Sequence, residues 1–283
     1  MKEVSGKAAF ITGGASGLGL AMAKSFSGAG MKVAIADVQE DALVAAQKNF
    51  SESNAEVIAI QVDVTDRQAL EDAADEAEAA FGKIHVVCNN AGVAVSGNIK
   101  DHSFQDWDWL MGVNVNGVIN GTQVFTNRIL KHGEGGHIVN TASMAGLLPI
   151  AALSVYNTSK FAVVGMSEAI AQDLAQFNIG VSVLCPGFVD TNIYTSERNR
   201  PAGFGGEAAS SFNLPEHSIE EVSFDGKIQA SMVGDMVLHA IQNNEMYIFS
   251  HPEFSEAIQE RHQSMLDAFA VSYTHLRAHE TLR

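Results

Sequence analysis

The chain has 283 residues, 46% of them apolar and 18% charged, with a formal net charge of −16 at pH 7. This composition is that of a globular protein with a sizeable core, and it excludes a largely disordered chain. The negative charge argues against nucleic acid and anionic membrane surfaces as partners, because both would repel it.

The sequence also bounds the compartment. No window reaches the roughly 18 apolar residues that span a bilayer, and the amino-terminal apolar run is too short for a signal peptide. We therefore expect a cytoplasmic protein.

Cys88 and Cys185 each lie late in an apolar run. If the strand before Ser143 separates them, they are roughly 9 to 10 Å apart, beyond the reach of a disulfide, so we expect free buried thiols. The histidines show no ligand-spaced cluster outside the carboxy-terminal tail, so no metal is predicted.

A strand, a glycine turn and a helix open the chain. Residues 7–12 form a short apolar run that leads into Gly13, Gly17 and Gly19, and a second strand follows at residues 32–37. Glycines at these positions permit the tight turn, the approach of backbone amides to a pyrophosphate, and close packing of helix on strand. The positive end of the helix would hold the pyrophosphate. The pattern predicts a dinucleotide site.

Asp37 follows Gly17 by twenty residues, at the end of the second strand. A carboxylate there accepts hydrogen bonds from the adenosine ribose hydroxyls and repels a 2′-phosphate. Neither Ala15 nor Val38 supplies a basic side chain for such a phosphate. The sequence therefore favours NAD over NADP, the alternative being that Asp37 is a strand-end turn residue.

The third and fourth strands are predicted at residues 57–64 and 84–88, with an acidic helix between them at residues 66–81. Asp63 ends the third strand, where its side chain could reach the adenine amino group. The fourth strand leads into residues 89–92, Asn-Asn-Ala-Gly. Small residues there suit a backbone lying against the cofactor, although an ordinary asparagine-glycine turn has the same composition.

A helix from Ser103 or Asp106 to about Leu130 contains Asn114 near its middle. Asparagine has poor helix propensity and competes for backbone hydrogen bonds, so its position needs a reason. On this pattern alone, a functional asparagine and a surface asparagine are equally open.

The central stretch carries the strongest chemical pattern. A strand at residues 137–141 passes through a loop with Ser143 into a helix from Ser154 to about Phe177, which carries Tyr156 and Lys160. Residues four apart share one face of a helix. An ammonium about 4 Å from a phenol, at an effective dielectric near 20, favours the phenolate by roughly 4 kcal/mol, or about three pK units. Tyr156 could then exchange a proton with an alcohol at neutral pH.

A surface pair is the alternative, because every tyrosine of this chain precedes a basic residue by four positions. Ser143 and the glycine turn favour the catalytic interpretation.

The same helix is apolar on more than one side, and we expect a second subunit to cover the surplus face. The residues concerned are Phe161, Val163, Val164, Met166, Ile170 and Leu174.

The sixth strand, residues 181–185, ends at Pro186-Gly187. The irregular stretch that follows predicts a substrate lid at about residues 188–225. A helix at 228–243, a strand at 246–249 and a helix at 253–269 complete a single domain of residues 1–270. Residues 271–283 lack an apolar stripe, and we interpret them as a non-native cloning remnant.

Taken together, these motifs resemble the classical short-chain dehydrogenase/reductase family over about residues 5–250. Thr12-Gly13-x-x-x-Gly17-x-Gly19 matches its glycine pattern, and Asn114, Ser143, Tyr156 and Lys160 match its catalytic tetrad. The resemblance implies one doubly wound α/β domain, with seven parallel strands in the order 3-2-1-4-5-6-7, helices on both faces, and a homodimer or homotetramer. It also implies that NAD contacts residues in five groups: Gly13, Ser16, Gly17, Leu18 and Gly19; Asp37, Asp63 and Val64; Asn90, Ala91 and Gly92; Tyr156 and Lys160; and Pro186, Gly187, Val189 and Thr191.

By this resemblance, Tyr156 is the acid/base and Ser143 holds the substrate oxygen. Lys160 lowers the pKa of the tyrosine and binds the nicotinamide ribose, and Asn114 anchors a water that relays protons from Lys160. The expected activity is NAD-dependent interconversion of a secondary alcohol and a ketone.

The substrate is less constrained. Residues 234–254 and 137–147 resemble a subgroup that includes dehydrogenases of lignin-derived aryl-ether alcohols, and Phe188, Ile193, Met144 and Leu148 could line an apolar pocket for a bulky or aromatic alcohol. A steroid or aliphatic secondary alcohol fits the same residues. A non-catalytic NAD sensor on the same fold is a further alternative, although all four tetrad positions are filled.

Overall fold

The structure, a computed structural model, describes residues 1–51, 55–205 and 228–280, with the backbone alone described at residue 270 and residues 272–280. The strands in these ranges are β1 (Ala8–Thr12), β2 (Lys32–Asp37), β3 (Val57–Gln61), β4 (Val86–Asn89), β5 (Gly136–Thr141), β6 (Ile179–Cys185) and β7 (Tyr247–Phe249). They form one parallel sheet in the order β3-β2-β1-β4-β5-β6-β7. The predicted topology is confirmed.

Helices cover both faces of the sheet. They are α1 (Gly17–Gly28), α2 (Glu40–Lys48), α3 (Arg67–Phe81), α4 (Phe104–Met111), α5 (Gly117–His132), α6 (Ser154–Leu174), α7 (Ala230–Asn243) and α8 (Ser255–Glu280). Strand β1 is buried along its whole length, as expected of a central parallel strand. Ile11 packs with α1, α2 and α7 on one face, whereas Phe10 packs with α3 and α5 on the other. This doubly wound arrangement is the predicted one.

Two helix predictions are corrected. The single helix predicted from residue 103 to about 130 is α4 and α5, joined by a wide π-helical turn at Gly112–Asn116. The last helix, predicted to end at residue 269, continues through α8 to Glu280, because residues 255–280 contain no glycine or proline to stop it. Residues 281–283 of the predicted remnant and residues 206–225 of the predicted lid lie outside the described part of the chain.

Cys88 and Cys185 are buried and free, as predicted. Burial raises the pKa of both thiols, that of Cys185 to about 12. Within the described ranges, no helix has the length and apolar character to cross a bilayer. The same ranges contain no group of three or more His, Cys, Asp or Glu side chains that could hold a metal ion.

Candidate active site

A cleft of about 310 Å³ lies at the carboxyl ends of the strands, where ligands bind in open parallel sheets. It collects residues from the loops after β1, β2, β3, β4, β5 and β6. Of the residues predicted to contact the cofactor, all but Gly19 line this cleft: Gly13, Ser16, Gly17, Leu18, Asp37, Asp63, Val64, Asn90, Ala91, Gly92, Tyr156, Lys160, Pro186, Gly187, Val189 and Thr191. Gly19 lies beneath the turn, where a Cβ would be 2.1 Å from the carbonyl oxygen of Gly13.

The glycine turn leaves backbone amides at the cleft. Gly13 has φ of +62°, and a Cβ on it would be 2.9 Å from the Cα of Ala91, so no other residue fits there without strain. Helix α1 starts at Gly17, and the Ser16 side chain caps none of its amides. The first turn of α1 therefore presents unsatisfied N–H groups, which is the arrangement that binds a pyrophosphate.

Asp37 closes the adenosine end of the cleft. Its Oδ2 accepts a hydrogen bond from the Ala15 amide at 3.2 Å, and its Oδ1 accepts one from the Gln39 amide at 3.1 Å. The carboxylate is therefore fixed at the end of β2. Asp63 is oriented differently, because its Oδ1 accepts bonds from the Thr65 amide at 2.9 Å and hydroxyl at 2.8 Å.

Asn90 connects three strands at the centre of the cleft. Its Nδ2 donates to the carbonyl oxygens of Thr12 at 3.1 Å and Gly13 at 3.3 Å, and its Oδ1 accepts from the Thr141 hydroxyl at 3.2 Å. The Thr12 hydroxyl accepts in turn from the amides of Asn90 and Ala91. The segment is thus held open against β1 and β5 rather than forming an ordinary surface turn.

Asn114 lies in the wide π-helical turn and is fully buried. Its Oδ1 accepts from the Val93 amide at 2.8 Å, and its Nδ2 donates to the Val93 carbonyl at 2.9 Å and the Ser159 hydroxyl at 3.1 Å. The amide therefore joins the loop after β4 to helix α6. The alternative of a surface asparagine is wrong.

Ser143, Tyr156 and Lys160 meet beside Gly92. The Ser143 hydroxyl lies close enough to Tyr156 to lower the pKa of the phenol, and it donates to the Pro186 carbonyl at 3.4 Å. The Nζ of Lys160 lies 5.5 Å from the centre of the Tyr156 ring and donates to the Thr141 carbonyl at 3.0 Å. A Cβ on Gly92 would lie 3.5 Å from that Nζ, so glycine keeps the space between loop and amine open.

The electrostatics of this group differ from the expectation. Burial raises the pKa of Tyr156 to about 12, with the Ser143 hydrogen bond opposing the change, and burial lowers the pKa of Lys160 to about 8. We predicted that Lys160 would lower the pKa of Tyr156 by about three units. In this structure the direction is the reverse, because both groups are desolvated and the amine points at the Thr141 carbonyl.

Two residues that the sequence analysis missed hold the Pro186-Gly187 segment. Ser250 Oγ accepts a hydrogen bond from the Gly187 amide at 3.2 Å and contacts His251 Nδ1 at 2.6 Å. The His251 ring lies 2.7 Å from where a Cβ of Gly187 would be. Both follow β7, which is far from Gly187 in the sequence but adjacent to it in the sheet.

The far end of the cleft carries an aromatic wall, made of Trp109, Tyr194 and Phe204. Of the four residues predicted to line the substrate pocket, Ile193 does so. Met144, Leu148 and Phe188 belong instead to a separate apolar cluster around Val163 and Val183, and their prediction is wrong. Nothing in the local pattern distinguished these residues from pocket residues, since both kinds are apolar and follow strands.

Comparison with known proteins agrees with this geometry. The family model for short chain dehydrogenase matches residues 7–202. The C alpha-dehydrogenase of Sphingobium sp. strain SYK-6 is 35% identical over 271 residues, which cover 95% of this chain and 88% of that protein. The 3beta-hydroxysteroid dehydrogenase 2 of Eggerthella lenta is 34% identical over 244 residues, or 83% of this chain and 93% of that protein.

Among solved structures, a short chain dehydrogenase/reductase from Burkholderia phymatum in complex with NAD superposes with a TM-score of 0.86 at 39% identity, covering 94% of this chain and 96% of that chain. The sheet order, the glycine turn and these similarities lead to one conclusion: the chain belongs to the short-chain dehydrogenase/reductase family.

Proposed function

We propose that the protein is an NAD-dependent oxidoreductase that interconverts a secondary alcohol and a ketone. The observation that carries the proposal is that Ser143, Tyr156 and Lys160 line one cleft together with the glycine turn. Two hydroxyls that meet at one point can hold and protonate one substrate oxygen.

The residues of the cleft fit NAD. The Gly13–Gly19 turn and the amides at the start of α1 fit a pyrophosphate, and the space beside Gly13 is too small for any side chain. The carboxylate of Asp37 fits free ribose hydroxyls and opposes a 2′-phosphate. When bound, the nicotinamide accepts or supplies the hydride.

The chain's own residues handle the proton. With the pKa of Tyr156 near 12, this hydroxyl is protonated at neutral pH and can donate to the oxygen of a ketone being reduced. In oxidation, Tyr156 must first release its proton to solvent, and the phenolate so formed takes the hydroxyl proton of the alcohol. Ser143 donates to the substrate oxygen, and Lys160, with a pKa of about 8, carries positive charge at pH 7 that favours a phenolate as it forms. Asn114 holds α6 and the Val93 loop together.

The substrate class that the cleft supports best is a bulky or aromatic alcohol. The aromatic wall offers ring surfaces for stacking, and the relative of Sphingobium is called a C alpha-dehydrogenase. A steroid alcohol is the second candidate, because another relative is a 3beta-hydroxysteroid dehydrogenase and the same wall fits a flat apolar skeleton.

NADH absorbance tests the function directly. Purified protein is assayed with NAD and NADP over aryl, steroid and aliphatic secondary alcohols, and in reverse with the ketones. Turnover of aryl alcohols with NAD is expected. A panel without any turnover, although the protein binds NADH, would favour the non-catalytic sensor instead.

We also propose a homodimer or homotetramer in the cytoplasm. Phe161, Met166 and Ile170 lie on more than one side of α6 and are each only partly buried in the single chain, and this supports a second subunit against the helix. The free thiols of Cys88 and Cys185 are consistent with a reducing compartment. Light scattering of the purified protein measures the assembly, and fractionation of the source cells tests the location.

A further inference from the structure

Arg200 is an arginine buried next to the cleft, with a side chain that is 5% exposed. Its Nη2 forms an ion pair with Asp106 of α4, and its Nη1 lies 3.2 Å from the Glu197 carboxylate. Its Nε donates to the carbonyl oxygen of Phe204 at 2.7 Å. Three of its nitrogens are therefore bonded to three separate segments of chain.

The guanidinium also stacks on the aromatic wall. Its central carbon lies 5.1 Å from the centre of the Trp109 ring, which is within the range of a cation–π contact. Trp109 comes from α4, whereas Phe204 comes from a short 3₁₀ turn after β6. Arg200 thus joins the two elements that supply the two ends of the wall.

Asp106 is itself fixed, so this connection is rigid. Its Oδ2 accepts from the Ser103 amide at 2.7 Å, while the Ser103 hydroxyl caps the Asp106 amide at 3.2 Å. Burial alone would raise the pKa of Asp106. Hydrogen bonds from Arg200 and Ser103 nevertheless hold that pKa below its ordinary value. The ion pair therefore stays charged at neutral pH.

The basic groups that line the cleft already donate hydrogen bonds within the chain, which weakens their attraction for an anionic ligand. Among the described residues that line the cleft, the basic side chains are Lys160 and Arg198. Lys160 donates to the Thr141 carbonyl, and Arg198 donates to the carbonyls of Asn192 and Thr195. With Arg200 neutralised by two carboxylates, the wall favours a neutral ring over a carboxylate or a phosphate.

We propose that Arg200 is a positioning residue that sets Trp109 and Phe204 as a recognition surface for a neutral aryl group on the substrate. This inference rests on the proposed function and specifies its substrate class. Arg200 reaches the substrate through the aromatic wall and takes no part in hydride or proton transfer.

The test compares wild type, R200M, R200K and R128M with phenyl methyl carbinol, its para-carboxylate derivative and isopropanol. R128M is the matched control, because Arg128 also binds several carboxylates, Glu71, Asp75 and Glu78, but outside the cleft. In R200M the KM for phenyl methyl carbinol should rise about tenfold or more, with kcat and the KM for NAD changing less than about threefold. R200K should lie between wild type and R200M, and isopropanol should show little change in KM.

Three results would overturn the inference: an unchanged aryl KM in R200M, an equal rise for isopropanol, or the same shift in R128M. Wild-type preference for the carboxylated carbinol would also overturn it. Circular dichroism and NADH binding show whether R200M is folded. If it is not, the same KM comparison is made with R200K and with the paired variant R200M/D106L. Calorimetry measures the binding of phenyl methyl ketone to wild type and R200K without any turnover. Weaker binding to R200K would support the role of Arg200 in the aromatic wall even if the oxidoreductase assay fails.

Discussion

Lys160 Nζ donates a hydrogen bond to the carbonyl oxygen of Thr141 at 3.0 Å, which directs the amine at the end of β5 and leaves it 5.5 Å from the centre of the Tyr156 ring. The amine is buried as fully as a core side chain, at 3% exposure. Burying an ammonium opposes folding, because one carbonyl replaces only part of its hydration. Burial of Lys160 therefore lowers stability, at a position for which we propose a role in turnover.

This relationship predicts that K160M is inactive yet more stable at neutral pH. The unfolded chain keeps the lysine proton up to about pH 10.5, whereas the folded protein releases it near pH 8. Because the unfolded state binds more protons between these values, wild-type stability rises with pH through that window. At pH 7 the free energy of unfolding of K160M should exceed that of wild type by up to roughly 3 kcal/mol.

Urea unfolding of both proteins at pH 7, 9 and 10.5 measures this difference. It should shrink as the pH rises through the window set by the pKa of about 8 and the ordinary value of 10.5. A constant difference across the series would mean that Lys160 is not a source of the pH dependence.

Y156F should abolish turnover while NADH binding survives. The variant removes the hydroxyl that meets Ser143 and leaves the ring that packs with Val155 and Trp109. We expect kcat to fall by about 10²- to 10⁴-fold, the usual contribution of a positioned acid or base. Stopped assays measure the rate and fluorescence titration measures NADH affinity; a near-wild-type rate would remove Tyr156 from the chemistry.

D37S should change the choice of cofactor. It removes the carboxylate that lies between the Ala15 and Gln39 amides and opposes a 2′-phosphate. We expect kcat/KM with NAD to fall about tenfold and kcat/KM with NADP to rise. The control E40Q removes the same charge from an exposed position on α2 and should leave the ratio of the two cofactors unchanged. If D37S leaves the ratio of kcat/KM with NAD to kcat/KM with NADP unchanged, Asp37 does not determine the choice of cofactor.

G121A should destabilise the fold, whereas G28A should not. A Cβ on Gly121 of α5 would lie 1.9 Å from the Asn89 Oδ1, and that side chain is held by a bond from its Nδ2 to Asn140 at 2.9 Å. Overpacking of this kind costs about 1 to 3 kcal/mol. Gly28 has no neighbour within 4 Å, so alanine there should add roughly 0.5 to 1 kcal/mol of stability. Thermal unfolding compares the two, and equal melting temperatures would contradict the packing of α5 on β4.

Truncation after residue 270 should leave activity and melting temperature unchanged. Helix α8 runs on to Glu280, but its side chains from Met265 to Phe269 are exposed, so this part of the helix is not anchored in the core. A melting scan and an activity assay of the shortened protein check this. A large loss of either would show that the tail is native.

The sheet order and the residues that line the cleft near the glycine turn were predictable because their determinants are local. Each of these features is recognisable within a single strand and the loop that follows it: the glycine turn, Asp37 and residues 89–92. A parallel sheet then brings such loops together at one edge. The four residues Asn114, Ser143, Tyr156 and Lys160 were identified as a set through the resemblance to the family, because the residue pattern alone left Asn114 open.

The end of the cleft that carries the aromatic wall was not predictable, because its determinants are contacts between distant segments. Asp106 and Arg200 are 94 residues apart, and no periodicity links them. The spacing of Ser103 and Asp106 predicts a helix start but not that its carboxylate would receive an arginine. Likewise, the four-residue spacing of Tyr156 and Lys160 predicts that the two side chains are neighbours on a helix, but it does not predict that they are buried. Burial determines the direction in which both pKa values change.

The π-helical turn at Gly112–Asn116 holds one residue more than an α-helical turn would. Each residue of a regular helix rotates the chain by about 100°. Deleting a single codon from this turn would restore a continuous helix and swing α4 around its axis by about a quarter of a revolution relative to α5, carrying Trp109 and Asp106 away from Arg200. The rotational phase of α4, which carries Trp109 and Asp106, relative to α5 is therefore set by one inserted amino acid.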